Sequence, residues 1–263
     1  MRSSRWWYRL AVLVAAVGVW ELWARAKGSP FFPPPSTIVA KMHQLWFSGP
    51  ATHLFLTPDA TSNILPSLGR VLAGLAIAIV AGGGLGIALG RSAAAAGFLD
   101  PLLQFARALP AVTLVPVFIA LFRIGTQMEV ATIAFGTIWP ILLNTADGAR
   151  HLDPVQVETA RAFRLPGWQR LTTLIIPAAL PKFFAGLRLS IALALILMVF
   201  AELAGSSSGI GYEMNNAQSA FNMTWLWATL LLIAILGNLL NGLELAVQHR
   251  VLAWHRGQRQ AGG

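Results

Sequence analysis

Residues 71–90 read VLAGLAIAIVAGGGLGIALG, closed by Arg70 on one side and Arg91 on the other. That is 20 residues without a charge, and an α-helix needs roughly 20 apolar residues to cross the hydrocarbon core of a bilayer. Gly74, Ala78, Gly82, Gly86 and Gly90 recur every fourth residue, so they share one helix face that lets a second backbone approach closely. Tight packing is the simpler reading of that face, and a sliding contact the alternative. Similar runs follow along the chain. Residues 224–243 are uncharged up to Glu244, and 130–146 lie between Glu129 and Asp147. Residues 108–122 lie between Arg107 and Arg123 and extend back toward Pro101. Residues 183–204 are apolar except for Arg188 and Glu202, and 10–24, the shortest run, contain Glu21. The expectation is an all-α polytopic membrane bundle of about six spans.

Composition agrees. Of 263 residues 56% are hydrophobic and 11% charged, with a mean hydropathy of +0.64. A soluble domain carries about 25% charged residues, so a soluble globule could not cover this much apolar surface. There is no cysteine, which excludes a disulfide scaffold. The net charge of +9 would suggest nucleic acid in a soluble protein, but cytoplasmic loops of membrane proteins collect Lys and Arg. With the N-terminus inside, 14 basic residues fall inside, from Arg2, Arg5 and Arg9 to Arg250, Arg256 and Arg259. Only 5 fall outside: Arg25, Lys27, Lys41, Arg70 and Arg123. The asymmetry predicts both termini in the cytoplasm and leaves no nucleic-acid partner to invoke. Ala24-Arg25-Ala26 after an apolar run imitates a secretory cleavage site, but Glu21 and Arg25 beside it and five further spans argue against cleavage.

The chain reads as one transmembrane domain over 1–263, with an external segment at 27–69. Pro33-Pro34-Pro35 stiffens that segment, and Ser36 or Thr37 can cap a short helix. Ile38, Val39, Met42, Leu45 and Trp46 then recur at helical spacing, fit both for the membrane surface and for packing on the bundle.

Enzyme motifs fail. Gly205-Ser206-Ser207-Ser208-Gly209 fits G-x-S-x-G, but that elbow requires a strand before it, and here an apolar span precedes. Five histidines show no H-E-x-x-H spacing, so no metal site is expected. No phosphate-binding P-loop occurs, so the chain is expected to hold no cofactor and catalyse nothing. Charges within spans are costly and often functional. Glu202, near the outer end of its span, can pair with Arg123, cap a gate, or sit in interfacial water. Glu21 and Arg188 read as interfacial, Arg188 with a snorkelling side chain.

The internal loop 147–182 is the most informative segment. Asp153 can cap a helix, Pro154 suits its first position, and Gln156 completes a capping-box spacing. The helix should run to about Arg164 and stop at Leu165-Pro166-Gly167. A second helix starts near Trp168 and meets Pro177 and Pro181. Val157, Ala160, Ala162 and Phe163 stand among Arg161, Arg164 and Arg170. Apolar residues rimmed by charge suggest a surface that docks a cytoplasmic partner, against the alternative that the hairpin packs on its own bundle.

Glu158-Thr159-Ala160, with Ile176-Pro177 downstream, resembles the EAA loop of the ABC importer permeases of the binding-protein-dependent class. That pattern is E-A-A, three residues, Gly, nine residues, then I-x-L-P. Here Thr159 replaces the second residue, Arg164 the glycine, Leu174 the isoleucine and Ile176 the leucine, leaving Gly167 to supply the turn. The nitrate/sulfonate/taurine branch is resembled at Pro33-Pro34-Pro35-Ser36, Asp100-Pro101-Leu102-Leu103, Pro140-Ile141-Leu142-Leu143-Asn144-Thr145 and Ala201-Glu202-Leu203-Ala204-Gly205. One departure is Arg123, where the branch commonly has glycine.

The resemblance implies a type I importer permease in the bacterial inner membrane, with a coupling helix seated in a cytoplasmic ABC ATPase. Glu158, Thr159, Ala160, Arg161, Phe163, Arg164, Gly167, Ile176 and Pro177 are the implied coupling residues. Glu202, Arg123 and Asn144 are candidates for the translocation path or its gate, and Gly74, Gly82, Gly86 and Gly90 for helix packing. The implied partners are an ATPase dimer that binds ATP and Mg, a periplasmic solute-binding protein, and a second permease copy in a homodimer. The implied cargo is nitrate, a sulfonate or taurine, with an uncharged heterocycle such as a vitamin precursor as the alternative. A self-contained secondary transporter or channel is the rival, but the sequence shows no clear internal repeat.

Overall fold

The computed structural model describes residues 4–253; Arg2, Arg256 and Arg259 lie outside them. The helices in chain order are α1 (Ser4–Lys27), α2 (Pro35–Trp46), α3 (Pro58–Arg91), α4 (Ala93–Ala108), α5 (Val115–Phe122), α6 (Thr126–Arg150), α7 (Pro154–Ala162), α8 (Gly167–Arg170), α9 (Ile176–Leu203), α10 (Ile210–Ser219) and α11 (Met223–Val251). No strand occurs among the described residues. Four of the described helical stretches are long and apolar enough to cross a membrane: those of α3, of α6, of α8 with α9, and of α11. The count becomes five if a bent pair is taken as one span.

Of about six spans expected, four or five meet this test of length and apolarity among the described residues. The run 108–122 is not a straight helix. α4 ends at Ala108, extended backbone at Leu109 precedes Pro110, and the pair is bent by 84°. A residue before proline is pushed out of helical geometry, which places the break there. The sixth candidate, 10–24, lies within α1. Its 24 residues would reach about 36 Å at 1.5 Å per residue, and it leaves Val12, Leu13, Val14, Val19 and Leu22 exposed. It is nevertheless outside the four spans.

The chain divides into two compact units, residues 1–66 with 208–235, and residues 67–207 with 236–263. In the first, α2 begins with Pro34 as its cap residue and without a side-chain cap of its own. Neither Ser36 nor Thr37 caps it, contrary to expectation. The Glu21 carboxylate accepts from the Ser36 N–H (3.0 Å) and the Ser36 hydroxyl (2.7 Å), and Arg25 Nε stands 2.6 Å from it. A carboxylate at the start of a helix is favoured by the free N–H groups there, so a charge that seemed interfacial orients α2 on α1. Ile38 and Trp46 are buried while Val39 is exposed. Asn63 performs a similar service, its Oδ1 accepting from Gly209 N (2.8 Å) and its Nδ2 donating to Glu213 Oε1 (3.1 Å). Burial pushes the Glu213 carboxyl above its ordinary value, the Asp59 charge adds to the effect, and the Asn63 amide opposes it.

In the second unit α6 is the central element, with Met128, Thr132, Ile133, Thr137, Ile141 and Thr145 among its buried residues. The hydroxyls of Thr132, Thr137 and Thr145 donate to carbonyls four residues back, at 2.9, 2.7 and 2.6 Å. They can therefore be buried without an unsatisfied donor. The small face of α3 lies on α6. A Cβ on Gly86 would stand 2.7 Å from Leu142 O and from Thr145 Cβ, and one on Gly90 2.5 Å from Ala146 O. Gly74 and Gly82 likewise meet Ile133 and Ile138. On the other side a Cβ at Gly186 would stand 2.5 Å from Pro140 O, so α9 also approaches α6 backbone to backbone.

Gly84 supplies an internal control, since nothing lies within 4 Å of a Cβ built there. Gly86→Leu is expected to destabilise the purified protein by at least the roughly 1–3 kcal/mol typical of overpacking. Gly84→Leu should stay within about 0.5 kcal/mol. Denaturant midpoints compare the two, and equal midpoints would contradict the packing described.

Candidate functional site

The expected hairpin is present. The Asp153 side chain accepts from Val155 N (2.9 Å) and Pro154 occupies the first turn of α7. Among the described residues Gln156 makes no return bond. α7 ends earlier than expected, at Ala162, with Phe163 as its cap. Leu165 N–H then donates to Ala160 O (3.0 Å) and Arg164 N–H to Arg161 O (2.9 Å). These two bonds define a Schellman motif, which needs a left-handed residue at the position of Arg164. Its φ is +51°. The turn is thus made by Arg164, not by Gly167, which begins α8.

A non-glycine residue in the left-handed region costs about 1–2 kcal/mol, so Arg164→Gly should steady the hairpin by about 1 kcal/mol. Amide exchange at Leu165, which closes the turn on Ala160 O, should slow about fivefold in that variant; unchanged exchange would show that the turn is not strained. Arg123 presents the same feature. It closes α5 with φ +63° and ψ 174°, a region used almost only by glycine.

α8 runs through a π turn, Leu171–Ile175, directly into α9. Pro177 lacks the N–H that an α-helical ladder would take to the Thr173 carbonyl, and the wider turn that contains Thr173 takes up the mismatch, while Pro181 lies inside α9. The hairpin's second helix is therefore the start of a membrane-length helix, and a displacement of the hairpin has a continuous path into the span.

The hairpin's surface is sorted by residue. Ala160 is buried, whereas Glu158, Thr159, Arg161 and Arg164 are exposed. Phe163 and Trp168 are 77% and 72% exposed. Between α7 and the following segment lies a groove of about 550 Å³, lined among others by Gln156, Thr159, Ala160, Leu174 and Pro177. Ile176 and Pro177 are half-buried, and Pro177 but not Ile176 lines this groove. Among the described residues Glu158 makes no hydrogen bond or ion pair. An exposed carboxylate beside exposed aromatic rings and a groove is a surface with capacity to bind and little internal work to do.

Glu202 does not pair with Arg123. Its Oε1 accepts from Arg70 Nη1 (2.7 Å) and from the Ser67 hydroxyl (2.6 Å), and Arg70 Nε lies 2.6 Å from Glu129 Oε2. The three charged side chains are at most 7% exposed. Arg123 is exposed at its turn. Arg70 therefore joins α3, α6 and α9 through two carboxylates, which sequence reading missed because a charge at the edge of an apolar run reads as interfacial. A signal was available: Ser67 and Arg70 are three residues apart in the chain and so share a helix face. Asn144, half-buried on α6, donates to Pro140 O (2.8 Å) within its own helix.

A multi-pass helical bundle with an exposed apolar hairpin is a membrane component built to work with a partner. Sequence comparison makes the class specific. The family described as the binding-protein-dependent transport system inner membrane component matches residues 74–252, and the chain belongs to that family. A permease named for aliphatic sulfonate transport, SsuC of Bacillus subtilis (strain 168), is 30% identical over 95% of this chain and 88% of its own length. The taurine transport system permease protein TauC of Escherichia coli (strain K12) is 29% identical over 86% of this chain and 80% of its own. The nitrate import permease protein NrtB of Leptolyngbya laminosa is 31% identical over 72% and 68%. Among solved structures, an inward-facing MetNI methionine ABC transporter chain superposes with a TM-score of 0.63 at 17% identity. It covers 72% of this chain and 94% of its own, a likeness of fold. The chain is thus a permease subunit of an ABC importer, with the fold of that class.

Proposed function

We propose that this permease passes a small oxyanion, of the sulfonate, taurine or nitrate kind, across the bacterial inner membrane. In this reading 1–263 acts as one transmembrane domain, with 27–69 external and 147–182 cytoplasmic. A homodimer of permeases receives the anion from a periplasmic binding protein. A pair of cytoplasmic ATPases, holding ATP and Mg, grips the two hairpins. The hairpin carries the proposal: its apolar and acidic groups are exposed together, and it continues without a break into α9. ATP can shift the bundle only through contacts that differ between states, and a short helix fixed by Asp153 and by the Arg164 turn can make such contacts. Both termini then lie in the cytoplasm, as the basic residues ask. The likeness of this chain to permeases named for sulfonate, taurine and nitrate transport supports the cargo class.

The cargo is tested by purifying the binding protein that drives uptake through this permease and titrating it with methanesulfonate, taurine, nitrate and a neutral pyrimidine. Saturable binding of one oxyanion at micromolar concentration, without the pyrimidine, is expected. Binding of the pyrimidine alone would overturn the cargo class and leave the coupling assignment standing.

A further inference from the structure

Residues 47–57, between α2 and α3, form a loop closed on itself. Leu54 N–H donates to Ala51 O (3.1 Å), Phe55 N–H to Pro50 O (3.2 Å), Leu56 N–H to His53 O (3.0 Å) and Thr57 N–H to Trp46 O (3.2 Å). Gly49 N–H donates back to Phe55 O (2.9 Å), and the Thr57 hydroxyl to Leu45 O (2.6 Å). A Cβ on Gly49 would run into the Leu56 carbonyl. Four consecutive N–H groups are thus bonded within the loop or to the end of α2, which fixes its backbone. The shape so fixed holds Leu54 at φ +55° and Phe55 at φ +63°. Both are left-handed, a region that glycine or asparagine occupies at less cost. Burial offsets neither, since Leu54 is 81% and Phe55 60% exposed. Backbone strain and apolar exposure fall on the same two residues, and neither contributes to the interior. Such strain is characteristic of elements kept for binding, and exposed apolar surface of contact sites.

Lipid does not cover this pair. α3 is continuous from Pro58 to Arg91, and its uncharged stretch 71–90 is long enough to fill the hydrocarbon core. Residues 58–70 before it make about 20 Å of helix at 1.5 Å per residue, against a head-group layer of roughly 5–8 Å. Asp59, Thr61 and Ser62 on that stretch are exposed, as a segment standing in water requires. Phe221, 81% exposed at φ +51°, is a different case. It stands two residues before α11, whose uncharged run starts at 224, the depth at which aromatic rings meet head groups. The family to which the chain belongs is described as binding-protein-dependent, and in the proposed function 27–69 is external. We infer that Leu54 and Phe55 are the apolar peg on which the soluble solute-binding protein docks. The inference rests on that proposed function and adds the element of this chain that meets the binding protein. A loop already fixed by its own hydrogen bonds loses little freedom on docking.

The test uses the permease with its ATPases, reconstituted in nanodiscs, and the purified, cargo-loaded binding protein that drives its uptake. The double variant Leu54→Asn, Phe55→Asn removes the apolar surface but keeps residues that tolerate left-handed backbone. Retained slow amide exchange at Leu56 and Thr57 verifies that the loop keeps its bonds. Affinity for the binding protein is expected to fall at least about thirtyfold, the loss of a central docking residue, with ATPase co-purification unchanged. Equal affinity in the double variant overturns the docking role of the loop and leaves the proposed function standing. An unmodified complex that binds no such protein overturns both. If the double variant fails to fold, a photoreactive benzoylphenylalanine at position 55 decides. A crosslink to the binding protein supports the inference; a crosslink only to lipid or to a second permease copy, or none, overturns it.

Discussion

Glu158→Trp is expected to abolish substrate uptake while the protein still inserts, folds and reaches its normal abundance. Glu158 is exposed and makes no internal bond among the described residues, so its replacement touches nothing that holds α7. A surface change of that kind alters stability by less than about 0.5 kcal/mol. Any large effect must therefore come from outside the chain. A residue at the centre of a docking surface typically accounts for about 2 kcal/mol or more of binding, about thirtyfold in affinity. An indole placed there also collides with whatever receives the carboxylate. Co-purification of the ATPase should fall by at least that factor, and reconstituted vesicles should lose ATP-dependent transport. Normal uptake would remove the hairpin from the coupling role. Ala160→Trp is expected to lose uptake too, but for another reason: Ala160 is buried and its carbonyl receives Leu165 N–H, so an indole there dismantles the hairpin. Hydrogen exchange separates the two, with α7 protection kept in the first variant and lost in the second.

How much of this was legible in the sequence follows from the range of each interaction. The apolar runs mark the four long helices because span length is a local property set by bilayer thickness. The glycine face of 74–90 and the hairpin with Asp153 as its cap are local too. The bend at Leu109-Pro110 was written in the proline, yet a charge-free run on both sides hid it. Partners far apart in the chain could not be read. Nothing near Ser36 announces that Glu21, 15 residues earlier, caps α2. Nothing near Glu202 selects Arg70, 132 residues away, over Arg123. The two arginines that stand where the resemblance places glycine show the reverse. At Arg164 the sequence suggested that Gly167 supplies the turn instead, whereas Arg164 itself keeps the positive φ and carries its strain, as Arg123 does at its own turn. A glycine-dependent turn can outlast its glycine when the bonds around it fix the backbone, here the two that close α7.

Arg70→Met is the substitution from which the largest loss of stability is expected. The side chain is nearly isosteric in its stem, so the change removes charge and leaves most of the volume. Glu129 and Glu202 would then stand buried together without a cation, and breaking one partner out of a buried pair costs about 3–5 kcal/mol. Since native proteins hold only about 5–15 kcal/mol in all, the variant should be degraded or recovered at low yield. The converse substitution separates charge from shape. Two carboxylates against one guanidinium leave a formal excess of one negative charge, and Glu129 Oε1 has no hydrogen-bond partner among the described residues. Glu129→Gln removes that excess, keeps the side chain's outline, and should cost less than about 1 kcal/mol or stabilise. Glu202→Gln loses the charged acceptor of both Ser67 and Arg70 and should fall between the two. If the triple variant that joins Arg70→Met to Glu129→Gln and Glu202→Gln recovers most of what Arg70→Met loses, the cost belongs to uncompensated charge. If it recovers nothing, Arg70 holds α3, α6 and α9 by the fit of its guanidinium, and the ordering of the two glutamine variants should vanish as well.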